Sequence, residues 1–172
     1  MAHMIHYLAY GSNLHPLRLI ERIPSAMLIG TVNMPGRELT FHKRSYVDGS
    51  GKCTFFENAT AHMYGALFAL DSKDESVLDR VEGLGQGYKK QLVKCPLGET
   101  TYEAFTYVAT RSHIDKELSP YVWYKEIVLA GARYHGFPQD YIDGIKAVDA
   151  IQDPNSARRT TKENLLVTLR GI

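Results

Sequence analysis

Apolar positions along the chain arrive in blocks whose periods differ from one end to the other. The opening block, Ile5-His6-Tyr7-Leu8-Ala9-Tyr10, is rich in strand-forming residues and predicts a buried strand. Gly11-Ser12-Asn13 interrupts it. Asn13 is a favourable N-cap and Pro16 is tolerated in a first helical turn, so Pro16 to Ile23 predicts a short helix. Ala26 to Val32 and Glu38 to Phe41 predict strands, and Asp48-Gly49-Ser50-Gly51-Lys52 a turn. The apolar run Ala61 to Leu70 predicts a central strand. Asp71 or Ser72 then caps a short helix carrying Val77, Leu78 and Val81, which Gly83, Gly85 and Gly87 end. Tyr88 to Val93 and Thr101 to Ala109 predict two strands joined by a turn at Pro96-Leu97-Gly98. Ser119-Pro120 opens a helix with Val122, Ile127, Val128 and Leu129 on its apolar face. Gly136-Phe137-Pro138 stops it, and Gln139 to Val148 resumes as helix. Ile151 to Lys162 is polar and predicts a loop, and the pattern leaves Asn164 to Leu169 unplaced. Strands thus fill the first two thirds and helices the last. That segregation predicts an α+β fold with a mixed or antiparallel sheet rather than a doubly wound parallel one.

Length and composition narrow the classes. The 172 residues suit one domain, expected over residues 4–150 with 151–172 as an extension. Hydrophobic residues at 44% and charged residues at 23% are ordinary for a globular chain and exclude collagen, coiled coil and disorder. A formal charge of +1 provides no basic field for nucleic acid. No apolar run approaches the roughly 20 residues that span a bilayer, and Met1 to His6 lacks the regions of a signal peptide. Cys53 and Cys95 make no disulfide framework. The expectation is a cytoplasmic protein with reduced thiols and no membrane or nucleic-acid partner, as a monomer or homodimer.

Two stretches could carry chemistry. In Tyr7-Leu8-Ala9-Tyr10-Gly11-Ser12-Asn13-Leu14 a strand runs through a glycine into a helix, leaving backbone N–H groups at the helix start for a carboxylate or phosphate. A plain capped helix would use Ser12 and Asn13 equally well. In Leu78-Asp79-Arg80-Val81-Glu82-Gly83 a carboxylate falls at a helix C-terminus, where the dipole opposes negative charge. Such a position suits a base that must later return its proton, and it equally describes a solvated surface Glu. Gly49-Ser50-Gly51-Lys52 fails as a phosphate loop, because Tyr46 and Cys53 stand where Gly and Ser or Thr are required. Ser12 lacks the second glycine of a nucleophile elbow. The seven His residues form no zinc-binding pattern, and the two thiols read as buried structural groups. Of eleven tyrosines, Tyr7, Tyr10, Tyr64, Tyr88 and Tyr124 could line a polar-tipped pocket or sit at the edge of the core.

Taken together, three blocks resemble the γ-glutamylcyclotransferase superfamily, which includes the AIG2-like proteins: the opening Tyr7 to Leu14, Leu78 to Gly83 followed by Tyr88, and Pro120 to Val148 with Tyr124, Gly131-Ala132, Gly136-Phe137-Pro138 and Tyr141. Their order and spacing carry the resemblance over about residues 5–150. It implies a small barrel-like sheet with helices outside, and cyclisation of a small γ-glutamyl compound to 5-oxoproline without metal or organic cofactor. It implies Glu82 as general base and then acid. The substrate wall would be Tyr7, Leu8, Ala9, Tyr10, Gly11, Ser12 and Asn13, with Tyr124 and, less directly, Tyr88 reaching the substrate. The loop between Glu82 and Tyr88 looks one residue shorter than in the vertebrate branch. Phe41 to Lys52 and the tail from Asn155 have no clear counterpart.

Overall fold

A computed structural model describes residues 2–171. Its centre is a five-stranded mixed sheet in the order β2-β3-β1-β5-β4, formed by β1 (Met4–Ala9), β2 (Met27–Arg44), β3 (Gly51–Asp71), β4 (Tyr88–Leu97) and β5 (Thr100–Ala109). The first strand lies in the middle, antiparallel to β3 and parallel to β5, with Tyr7 opposite Phe68 on one side and Phe105 on the other. Two-sided pairing buries Tyr7, Leu8 and Ala9 alike, which is why β1 lacks polar alternation. The sheet curls until its outer strands meet through side chains, with Leu97 of β4 packed over Gly30 of β2. The order of pairing nevertheless leaves β2 and β4 as edges, so the barrel-like sheet stays open.

Two segments expected as separate strands are one long hairpin arm. The stretch from Met27 to Phe41 belongs to the single strand β2, whose register against β3 shifts between Pro35 and Arg37. Proline lacks a ladder donor, so the bulge absorbs a break that reads in sequence as a strand end.

The helices pack around this sheet: α1 (Pro16–Arg22), α2 (Glu75–Glu82), α3 (Val122–Tyr134), α4 (Gln139–Lys146) and α5 (Ser156–Arg170). Asn13 is not the cap of α1. Leu14 N–H bonds back to Gly11 O at 3.2 Å, closing a turn, and the helix starts two residues later at Pro16. His15 takes the cap, its Nδ1 accepting from Leu17 N–H at 3.2 Å. That bond leaves the His15 proton on Nε2, which donates to Leu169 O at the far end of α5 at 3.0 Å. Of the segment read as a polar loop, Ile151 to Lys162, only the part before Ser156 is an approach; Ser156 to Lys162 form the first turns of α5, capped by the Asn155 side chain on Arg158 N–H at 2.9 Å. Leu166 and Leu169 of α5 join the same core as the sheet and α3.

Helix α3 is buried on most of its surface and passes close behind the turn that follows β1. A Cβ at Gly131 would lie 2.5 Å from Leu14 Cβ and 2.9 Å from His15 N. Gly131→Val is therefore expected to force helix and turn apart, lowering stability by about 1–3 kcal/mol in urea denaturation. An unchanged midpoint would mean that the two elements separate freely.

Candidate active site

The turn after β1 and the end of α2 face each other across one hollow. Asp71 caps a short helical turn through Lys73 N–H at 3.0 Å, and that turn leads into α2. Gly83 ends α2 with a φ of 73°, a left-handed value that glycine adopts without strain. Glu82 is thus the last helical residue, with its side chain 16% exposed. The hollow, about 290 Å³, is lined by Tyr7, Tyr10, Gly11, Ser12, Asn13, Cys53, Glu82, Tyr88, Tyr107 and Tyr124.

Asn13 organises this space. Its Nδ2 donates to Glu82 Oε1 at 2.5 Å and to the Tyr7 hydroxyl at 3.1 Å, while its Oδ1 accepts from Arg22 at 3.1 Å. Arg22 also stands 3.7 Å from Glu82 Oε1. The amide therefore aims the carboxylate and ties it to a cation. Backbone N–H groups of Gly11, Ser12 and Asn13 make no hydrogen bond among the described residues, leaving donors at the wall that Glu82 faces.

The aromatic wall is rigid and uncharged. The Tyr10 hydroxyl donates to Tyr107 O, and the Tyr88 hydroxyl donates to Cys53 O at 2.6 Å. The Tyr124 hydroxyl accepts from Cys53 N–H at 3.0 Å, so residues 10, 88 and 124 brace one another through β3 and β5. Burial, reinforced for Tyr7 by Glu82, raises the hydroxyls of Tyr7, Tyr10, Tyr88 and Tyr124 above the ordinary phenol range. Burial likewise pushes the Cys53 thiol up to about 12 and the Cys95 thiol to about 11, so neither is a ready thiolate.

Two residues of the expected wall lie elsewhere. Leu8 and Ala9 are fully buried and do not line the hollow, since the pleat and the neighbouring strands enclose them. The Leu8 carbonyl is taken by the Thr106 hydroxyl at 2.8 Å. Tyr64 also lies away from it, packed with Phe137 and Tyr141. The sequence reading missed Tyr107 and Arg22, whereas Cys53, read as a buried structural thiol, is buried at the edge of the hollow. Tyr107 shares one face of β5 with Phe105 and donates to Asp79 Oδ1 at 2.6 Å, and its strand period is the one local sign of it.

Known proteins share this architecture. The AIG2-like family model matches residues 62–145. Gamma-glutamylcyclotransferase of Mus musculus is 28% identical over 150 residues, covering 83% of this chain and 78% of that protein. The Homo sapiens protein of the same name is 27% identical over 150 residues, with the same coverage of 83% and 78%. The solved structure of a gamma-glutamyl cyclotransferase superposes with a TM-score of 0.83 at 24% identity, over 96% of this chain and 99% of that one. An uncharacterized protein from Homo sapiens gives a TM-score of 0.80 at 25% identity, over 95% and 98%. Fold, motif order and relatives agree: the chain is similar in sequence to the AIG2-like family and to proteins named gamma-glutamylcyclotransferase, and it shares the fold of a solved gamma-glutamyl cyclotransferase.

Proposed function

We propose that the protein is a γ-glutamyl cyclotransferase that releases 5-oxoproline from a γ-glutamyl amino acid or γ-glutamylamine. The observation that carries this reading is the single carboxylate, Glu82, sharing a small hollow with the free amides of Gly11 to Asn13. The relatives named gamma-glutamylcyclotransferase support it.

The chemistry needs little else. The neutral α-amine of the substrate attacks its own γ-carbonyl carbon, closing a five-membered ring. Glu82 takes a proton from that nitrogen and returns it to the departing nitrogen as the original amide C–N bond breaks. Water, redox equivalents and cofactors do not enter the balance. Both reacting groups belong to one molecule, so the protein's task is to hold a flexible chain folded, an orientation effect whose full range is ~7–11 kcal/mol. Backbone N–H groups at Gly11 to Asn13 receive a negative oxygen of the substrate. Tyr7, Tyr10, Tyr88 and Tyr124 enclose the glutamyl part and exclude water.

A panel of γ-glutamyl dipeptides and γ-glutamylamines, assayed for 5-oxoproline, tests the proposal. Release of 5-oxoproline together with one equivalent of free amine is the expected result. Glutamate as product would point to hydrolysis, and uptake without turnover would mark a carboxylate-binding module.

Asn13→Ala removes the group that aims Glu82. It is expected to lower kcat by ~10–100-fold, since small misplacements of a reacting group carry penalties of that order. Steady-state release of 5-oxoproline measures it, and an unchanged kcat would show that Glu82 keeps its aim unaided.

A further inference from the structure

Beyond Glu82 the hollow opens into a larger chamber of about 710 Å³, with Ser12, Glu82, Tyr88 and Tyr124 common to both. Its wall holds six cations, Arg18, Arg22, Lys43, Lys52, Arg158 and Lys162, against two carboxylates, Asp48 and Glu82. The chain as a whole carries +1, so this excess is a matter of placement.

Three of the six have partners. Lys52 meets Asp48 at 3.2 Å, Arg158 meets Asp153 at 2.6 Å, and Arg22 stands 3.7 Å from Glu82. Arg18, Lys43 and Lys162 form no ion pair among the described residues. Lys43 is only 2% exposed, and its ammonium rests 4.2 Å from the centre of the Tyr88 ring and 5.8 Å from that of Tyr46. Arg18 is 8% exposed, and its Nε has no hydrogen-bond partner. The Lys162 ammonium lies 5.0 Å from the Trp123 ring centre. Burial lowers Lys43 to about 8, and burial together with the neighbouring cations Arg18, Arg22 and Lys52 lowers Lys162 to about 8. Aromatic faces offset only part of the cost of holding desolvated cations without a counter-charge.

On the cyclotransferase reading, on which this step rests, the glutamyl part fills the inner hollow and the scissile bond lies beside Glu82. The departing amine then extends into the outer chamber. We propose that this chamber selects a polyanionic leaving group, an amine bearing two or more carboxylate or phosphate charges. One carboxylate is matched by one cation, whereas three unpaired cations call for more. A neutral alkylamine would leave all three unmatched, and a cationic one would be repelled.

Trp123 is the single tryptophan of the chain and lines this chamber, so its fluorescence reports binding of the leaving group itself. Titration with aspartate, O-phosphoserine, alanine and lysine is expected to give the first two an affinity at least about tenfold above alanine, and lysine the weakest. The tighter of aspartate and phosphoserine identifies the anion. Lys43→Met, which keeps the buried stem, and Lys162→Gln at the half-exposed side should each cut the acidic-to-alanine ratio several-fold. If Lys43→Met fails to fold, Lys162→Gln decides. Equal affinities for alanine and the acidic pair, or a ratio indifferent to Lys162→Gln, would overturn the proposal. In parallel, kcat/KM for γ-glutamyl-aspartate is expected to exceed that for γ-glutamyl-alanine by a similar factor. Cyclisation of γ-glutamyl-alanine without acidic preference in either assay sinks the polyanion chamber and leaves the cyclotransferase standing. Acidic preference in fluorescence with no γ-glutamyl compound turned over does the reverse.

Discussion

Glu82→Gln is expected to lose ~10²–10⁴ in the rate of 5-oxoproline release, the range that one positioned proton-transfer group supplies. That factor corresponds to about 3–5 kcal/mol of transition-state stabilisation. The substitution is nearly isosteric, and the Gln carbonyl can still accept from Asn13 Nδ2, which holds Glu82 Oε1 at 2.5 Å. The walls of the hollow, braced by the hydroxyls of Tyr10 and Tyr88, do not depend on the carboxylate. Thermal unfolding of the variant should therefore stay close to that of the parent, while turnover collapses. Full activity in Glu82→Gln would remove Glu82 from the chemistry, because no second carboxylate among the described residues lines the hollow. Binding of intact substrate by the variant, measured calorimetrically, separates loss of catalysis from loss of the site.

The parts of this arrangement that were legible in sequence are those written locally. The β1 strand, the glycine break after it, and a helix ending on Glu82 followed by Gly83 each follow from a few adjacent residues. Pairings between distant segments were not legible. Nothing near Asn13 announces a bond to a residue 69 positions away, and its type suggests a helix cap instead. The cap passed to His15 because Pro16 fixes where α1 can begin and the Gly11–Leu14 turn carries Asn13 away from it. Helix α5 escaped for another reason. Its buried residues are only Leu166 and Leu169, both in its second half, and its first half is polar because it faces the cationic chamber and solvent. A helix with so thin an apolar stripe has almost no periodic signal.

What holds that first half is a single buried carboxylate, and removing it is the second large effect expected. Asp153 is completely buried, at 0% exposure. Its Oδ2 accepts from Trp123 Nε1 at 2.9 Å and from Arg158 Nε at 2.6 Å. Its Oδ1 accepts from Asn155 N–H at 2.9 Å and from Arg158 Nη2 at 2.7 Å. Both oxygens are thus engaged by α3, by the cap of α5 and by α5 itself. Asp153→Ala leaves the Trp123 N–H without an acceptor and releases Arg158, with an expected loss of about 2–4 kcal/mol and a fall in Tm of roughly 5–15 °C. Asp153→Asn keeps an acceptor for Trp123 and should lose about half as much. The hydrogen bonds from Arg158, ahead of those from Asn155 and Trp123, hold the Asp153 carboxyl well below the usual carboxylate range. A depressed folded-state value means that the stabilisation is complete above the unfolded value of about 3.9 and is lost as pH falls from there toward the folded one. The stability gap between the parent and Asp153→Asn should therefore be widest near neutral pH and narrow below about pH 4. Urea midpoints at pH 7 and pH 3 measure it. A gap of the same size at both would assign the effect to packing rather than to charge.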